Sequence, residues 1–485
     1  MADTDTNGGI WCNPLSLPEI PRGKDDWYPY ETEMFSHEER PAGVAGPEYR
    51  SVSDPTAFFW EGKWYLYPSY GMAWVSDDLC RWQHVRTEPY CPKYSPAVAR
   101  WQGGFLLTGW ACPLYYGETP LGPFRKLGDF ILPDGSSYVP CDPALFTDDD
   151  GALYLYAFAS DGDYGTEHYR TKIVGYRLDE ADPRRVTEGP VTLFEMDPEN
   201  HPWERQGFHG QNTSFGWVEG PHMLKVRGRY YLIYAAPDTR DPSYCMAVYC
   251  SDSSPLSGFV CQRRNPLTLS RGGIVSGAGH GSVAADDKGN LWAFYTIAAP
   301  RVHQYERRIG MDKVAVDENG ELYCPSGVTD TPQSMTGGLR RWNLTERLRP
   351  AASSCAPGRD ALYATDGSNL TFWQPAPGDP LPTLTVRFDA PFYADSVRLW
   401  WAEPDYDPAR GVFAGPVGYT VEGEVGGAWR TLLDRSDPDE DRNVDFRAFP
   451  GALCTAVRLI IKKMPERMRV GVTDFSVFGA KEKQA

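Results

Sequence analysis

The sequence predicts an all-β chain, a five-bladed β-propeller followed by a C-terminal antiparallel β-sandwich. Composition, a strand plan that recurs five times, and a break in that recurrence near residue 323 together make the prediction. The chain has 485 residues, enough for two or three domains with sizeable cores. Aromatic residues make up 13%, alongside 48 Gly and 42 Pro, which favours short strands joined by tight turns over a helical bundle.

The repeats begin near Asp54, Ser95, Asp142, Glu219 and His280. Each opens on a small or polar residue beside Pro or Gly, continues into a strand and a Gly-containing turn, and returns in a second apolar or aromatic strand. The second strands read Trp64-Tyr-Leu-Tyr, Phe105-Leu-Leu-Thr, Leu153-Tyr-Leu-Tyr, Tyr230-Tyr-Leu-Ile-Tyr and Leu291-Trp-Ala-Phe-Tyr. Outer strands follow in several copies, for example around Trp74-Val-Ser-Asp-Asp-Leu-Cys-Arg-Trp. Four strands per repeat make a propeller blade, and a ring of blades brings the starts of the innermost strands together at the axis. A long segment, Asp197 to Asn212, interrupts the repeats just before Glu219, and loops of that length usually carry function or are disordered.

After Glu321-Leu-Tyr the periodicity stops, and a Ser-, Thr-, Pro- and Gly-rich stretch runs to Pro350. We therefore expect a propeller domain over 1–345, including an N-terminal arm over 1–50, and a sandwich over 351–480. The alternating runs Leu384-Thr-Val-Arg-Phe, Ser396-Val-Arg-Leu-Trp-Trp and Ala456-Val-Arg-Leu-Ile-Ile support the second domain.

A formal net charge of -17 argues against nucleic acid and strongly anionic polysaccharide as partners. No stretch is apolar enough to span a bilayer, and the N-terminus lacks the charged and apolar regions of a signal peptide. Eleven cysteines without a CxxC pair fit a reducing compartment, so a cytoplasmic protein is expected.

Three acids stand at equivalent points of the repeat: Asp54, Asp142 and Glu219. Asp-Pro recurs at Asp182, Asp197, Asp241, Asp379, Asp407 and Asp437, where it reads as a turn starter, whereas Asp54 and Asp142 share one phase of the repeat. Carboxyls converging on a channel mouth suit glycosidic cleavage, in which one protonated acid serves the leaving oxygen and one carboxylate activates water or attacks carbon. Burial or a negative neighbour raises the first pKa, and hydrogen bonding keeps the second low.

Through these residues, over roughly Ser51 to Tyr323, the chain resembles glycoside hydrolase family 43, five-bladed propellers that cleave arabinofuranosides, xylosides and some galactans with inversion. Leu121-Gly-Pro-Phe and Pro255-Leu-Ser-Gly-Phe resemble that family's blade endings. The resemblance implies Asp54 as general base, Asp142 as the acid that tunes and orients, and Glu219, in Glu-Gly-Pro, as general acid. It also implies that no cofactor is required, with an axial His280 that holds a water or a metal ion, a structural calcium near the axis being the ion to look for, and a substrate-binding arginine at Arg307 or Arg308. Trp74, Tyr94, Trp110 and Trp217 are the candidate sugar-stacking residues; Tyr94-Ser-Pro stands where many members have Trp-Ala-Pro, which bears on sugar choice. The expected activity is inverting, exo-acting removal of a terminal pentose. The alternatives are a galactan-cleaving enzyme of the same family, a retaining fructan-type propeller, a non-catalytic sugar-binding propeller and a protein-interaction propeller. The C-terminal part resembles a discoidin-like, galactose-binding-type sandwich, through Ala364-Thr-Asp-Gly-Ser-Asn-Leu-Thr-Phe-Trp and Val472-Thr-Asp-Phe-Ser-Val-Phe-Gly. It is either a structural partner of the propeller or a carbohydrate binder using Trp400, Trp401 or Tyr406.

Overall fold

The computed structural model describes residues 8–18, 50–69, 71–86, 94–166, 168–207, 210–301, 305–407 and 410–480. Most of the N-terminal arm, including the start read for a signal peptide, lies outside the described residues, as do two positions of the long segment before Glu219.

Five four-stranded antiparallel sheets follow one another along the chain, each built from consecutive strands. Blade 1 comprises Thr56–Trp60, Lys63–Tyr67, Met72–Ser76 and Gln83–Arg86. Blade 2 comprises Tyr94–Trp101, Gly104–Trp110, Leu114–Gly117 and Phe124–Gly128. Blade 3 comprises Cys141–Thr147, Leu153–Asp161, Arg170–Leu178 and Val186–Glu195. Blade 4 comprises Glu219–Val226, Arg229–Ala236, Cys245–Ser251 and Val260–Cys261. Blade 5 comprises Gly279–Ala285, Leu291–Ala298, Arg307–Val316 and Leu322–Tyr323.

The ring is visible in the first strands alone. Each touches the first strand of the next blade, and the first strand of blade 5 touches that of blade 1. First and second strands of blades 1, 2 and 4 are joined by two-residue turns, Glu61-Gly62, Gln102-Gly103 and Arg227-Gly228, with positive φ at both positions, the hairpin geometry that matches strand twist. The ring closes by packing, because blades 1 and 5 each own all their strands. Trp11, Leu15, Leu17 and Val52 of the N-terminal segment form one core with Trp64 and Trp74 of blade 1 and Trp292 and Met311 of blade 5.

The C-terminal domain is a seven-stranded antiparallel assembly whose strands begin at Trp342, slightly before the boundary read from composition. Its two 20-residue strands, Thr383–Ala402 and Val444–Lys463, pair with register shifts between Arg387 and Phe392 and between Ala394 and Ser396. Such irregularities bend strands, and the bent sheet wraps a core that includes Trp373, Trp401, Val421, Leu459 and Phe475.

This domain is docked on blade 5. Trp400 is fully buried in one cluster with Tyr295 and Ile297 of that blade, and Asn369 Nδ2 donates to the Ala298 carbonyl at 2.9 Å. Arg50, just before blade 1, pairs with Asp441 at 2.9 Å and with Glu403. Trp400 and Trp401 are therefore structural, and Tyr406 packs partly buried against the sandwich core, so the aromatics expected to bind carbohydrate build the interface and the interior instead.

Candidate active site

Each blade begins with the same backbone irregularity. Asp54, Ser95, Asp142, Gly220 and His280 all have positive φ, at 51°, 47°, 46°, 54° and 30°. In blades 2 to 5 the register of the first hairpin shifts at that point. Positive φ in a non-glycine residue is uncommon, clusters at functional sites and costs on the order of 1–3 kcal/mol. This corner points the side chains of Asp54, Ser95, Asp142 and His280 into one cavity.

The corner also corrects the phase of the third acid. Gly220, not Glu219, is the counterpart of Asp54 and Asp142; Glu219 matches Tyr94, Cys141 and Gly279 in the hairpin registers. The reason is steric. A Cβ at Gly220 would lie 2.7 Å from the His280 ring, so blade 4 keeps its corner bare and carries its acid one residue earlier.

The cavity has a volume of about 310 Å³ and is lined by Asp54, Tyr94, Ser95, Trp110, Cys141, Asp142, Glu219, Thr239, Tyr244, His280, Tyr305 and Arg307. Asp54 is buried and held on all sides. Its Oδ2 accepts from Ser53 Oγ at 2.9 Å and Ser69 Oγ at 2.7 Å. Its Oδ1 faces Arg307 Nη1 at 3.3 Å and His280 Nδ1 at 3.5 Å, and its backbone N–H donates to Thr296 Oγ1 at 2.8 Å. Burial pushes the Asp54 carboxyl up, but the Arg307 guanidinium, His280 and the two serine hydroxyls together outweigh it and hold the group below its ordinary value.

Glu219 is perturbed in the opposite direction. Burial and the nearby Asp142 carboxylate raise it to about 7, against the opposing effects of His280 and hydrogen bonds from Tyr244 and Trp217. Trp217 Nε1 donates to Oε2 at 2.7 Å and Tyr244 OH donates to Oε1 at 2.6 Å. An indole N–H can only donate, whereas a phenol can also accept, so Oε1 is the oxygen better placed to carry the acid proton. Asp142 is oriented by Ser95 Oγ at 2.6 Å. The cavity thus holds one carboxyl kept ionised and one that keeps its proton up to about neutrality.

The other expected residues separate into groups. Tyr94 and Trp110 line the cavity and meet edge to face, with centroids 5.5 Å apart. Trp217 acts through Glu219, with its ring stacked on Phe158 at 5.3 Å. Trp74 is fully buried in the core of blades 1 and 5, its indole N–H spent on the Pro18 carbonyl, and cannot reach a sugar. Of the arginine pair, Arg307 reaches Asp54; Arg308, the next residue on the strand, turns to the sandwich and donates to Asn443 Oδ1 at 2.6 and 2.8 Å. The remaining Asp-Pro aspartates behave as turn starters where they are clearest: Asp241 and Asp379 accept from the backbone N–H two residues on, at 2.7 and 3.0 Å.

The donor set at His280 does not fit a metal. Among the described residues no three His, Cys, Asp or Glu side chains gather as a ligand set, and the Asp54 oxygen nearest His280 already faces the Arg307 cation.

Several residues that line or support the cavity carry no periodic signal in the sequence. Ser53 and Ser69 fix the Asp54 carboxylate, and Tyr244 fixes Glu219. Thr239, Tyr244 and Tyr305 sit on connections between second and third strands of blades 4 and 5, outside the repeat pattern. The Pro at positions 55, 96, 143 and 221 could have located the corner and exposed the one-residue offset of Glu219.

The model of glycosyl hydrolases family 43 matches residues 48–322, more than half of the chain. The chain belongs to this family. Among curated relatives, a xylan 1,3-beta-xylosidase from Vibrio sp is 28% identical over 164 residues, covering 33% of this chain and 27% of that protein. A xylosidase/arabinosidase from Butyrivibrio fibrisolvens is 27% identical over 206 residues, covering 41% of this chain and 34% of that protein. The match thus spans about a quarter to a third of those relatives' length. Among solved structures, a thermostable family-43 glycoside hydrolase aligns with a TM-score of 0.49 at 23% identity, covering 60% of this chain and 96% of that one.

Proposed function

We propose that this family 43 protein is an inverting, exo-acting glycoside hydrolase that removes a terminal pentose, L-arabinofuranose or D-xylose, from short oligosaccharides or small glycosides. One observation carries the reading: two carboxyls lining one cavity are driven apart, Asp54 below its ordinary value and Glu219 up to about 7. In this reading Asp54 takes a proton from water as that water attacks the anomeric carbon. Glu219 gives its proton to the departing oxygen, and Trp217 and Tyr244 donate to the carboxylate that forms. Asp142, beside Glu219, favours the protonated form of the acid before the bond breaks. A cavity of about 310 Å³ is at the small end for ligand sites, which suits one sugar ring and hence cleavage from a chain end. The xylosidase and arabinosidase names of the two relatives support a pentose.

Glu219→Gln tests the assignment. Hydrolysis lost by 1000-fold or more with sugar binding retained supports the acid role, and unchanged turnover contradicts it. A panel of nitrophenyl pentosides and hexosides identifies the sugar. A cytoplasmic location, proposed from the cysteine pattern, is checked by cell fractionation.

A further inference from the structure

We infer that Tyr164 is the stacking platform of a leaving-group subsite, where it takes the flat face of the sugar or aryl ring released by the enzyme. The inference rests on Glu219 being the acid, because the leaving ring lies on the side of the group that protonates it.

The blade topology directs attention to this residue. The first strand of each blade starts at the cavity, so the second strand returns to it, and the connection from second to third strand stands on the cavity face. In blade 1 that connection supplies Ser69, which bonds Asp54. In blade 2 Trp110, at the end of the second strand, lines the cavity, as do Thr239 and Tyr244 in blade 4 and Tyr305 in blade 5. In blade 3 none of the described residues of the connection between Leu153–Asp161 and Arg170–Leu178 lines the cavity. It carries Tyr164 instead, which is 74% exposed, the most exposed of the large apolar side chains described.

A tyrosine left this exposed keeps most of its ring surface available to a ligand. The ring is also held by aromatic neighbours. Tyr164 meets Tyr169 at 5.4 Å and 83° and Trp217 at 6.3 Å and 80°, and Trp217 in turn donates to Glu219. The ring is therefore fixed next to the residue that clamps the acid. Glu219 itself lines the cavity, so Tyr164 stands one side chain, Trp217, away from a cavity carboxyl. A ring held by two aromatic neighbours yet largely exposed, next to the indole that bonds a cavity carboxyl, has the form of a carbohydrate-stacking platform.

The test compares Tyr164→Ala and Tyr164→Phe with the full-length wild type on phenyl and methyl glycosides of the pentose it cleaves, and on the matching disaccharide. Tyr164→Ala is expected to lower kcat/KM for the disaccharide and phenyl glycoside by 5- to 10-fold more than for the methyl glycoside, mostly through KM, while Tyr164→Phe retains most of the difference. A larger effect on the disaccharide assigns the platform to sugar rings, and a larger effect on the phenyl glycoside assigns it to aryl aglycones. Equal losses on all three substrates, or no loss, overturn the inference. Calorimetric binding of the phenyl and methyl glycosides needs no turnover, so it judges Tyr164 separately from Glu219, whose role stands or falls with Glu219→Gln. Because the side chain is exposed, a matched thermal midpoint excludes misfolding as the cause.

Discussion

A buried carboxyl whose pKa is raised weakens the fold when it ionises, and Glu219 allows that cost to be measured. A rise from 4.5 to about 7 means that the ionised form is disfavoured in the folded state by about 3 kcal/mol, at 1.36 kcal/mol per unit. This is an upper bound, because one side of the residue borders the cavity. The folded-state pKa lies above the unfolded one, so the stabilisation is complete below about pH 4.5 and is lost as pH rises to about 7. Glu219→Gln cannot ionise. Its stability relative to wild type should therefore grow across that window, by up to about 3 kcal/mol, or roughly 5 °C in thermal midpoint for a domain of this size. The value at pH 4.5 absorbs any change in the Trp217 and Tyr244 hydrogen bonds, so only the growth with pH counts. Differential scanning fluorimetry from pH 4.5 to 8 on both proteins reads it directly. Curves that stay parallel would refute the reasoning, since an unperturbed Glu219 gives no such divergence.

Other consequences concern the rest of the site and the domain interface. Tyr244→Phe removes a hydrogen bond that lowers the Glu219 pKa, so the alkaline limb of kcat/KM should move above pH 7 while kcat falls; an unchanged limb would exclude Tyr244 from tuning the acid. Arg307→Gln removes the cation that helps keep Asp54 ionised, so the acid limb should shift to higher pH and activity at the acid end of the profile should fall most. Gly220→Ala places a Cβ 2.7 Å from the His280 ring at positive φ, and should cut kcat at least 10-fold with a lower thermal midpoint; a fully active variant would show that the bare corner is not needed. Arg308→Ala leaves the buried Glu306 and Asn443 short of a partner, and should cost about 3 kcal/mol of stability while KM changes less than twofold.

The blades were legible because their signal is local. Each hairpin announces itself by an apolar or aromatic second strand following a glycine turn, and in four of the five blades the start of the first strand is marked by Pro. Asp54 and Asp142 were legible for the same reason. The exact phase of Glu219 was not, because the constraint on Gly220 comes from His280 on a neighbouring blade, a contact between residues 60 positions apart in sequence. Arg307 and Arg308 are adjacent on one strand, and alternation sends them to opposite sides, but only the docked sandwich decides which side is the cavity. Trp74, Trp400 and Trp401 have the composition of sugar platforms and the burial of core residues; sequence supplies the first property and packing the second. Tyr164 escaped notice because an exposed tyrosine in a loop carries no periodic signal.

The central claim, that Asp54 activates water opposite the leaving group protonated by Glu219, is tested most directly by the anomeric configuration of the first sugar released, followed by proton NMR during the first minutes of hydrolysis. The account predicts inversion, with the opposite anomer appearing only later by mutarotation. Immediate release of the retained anomer would contradict it, making Asp54 a nucleophile instead of a base.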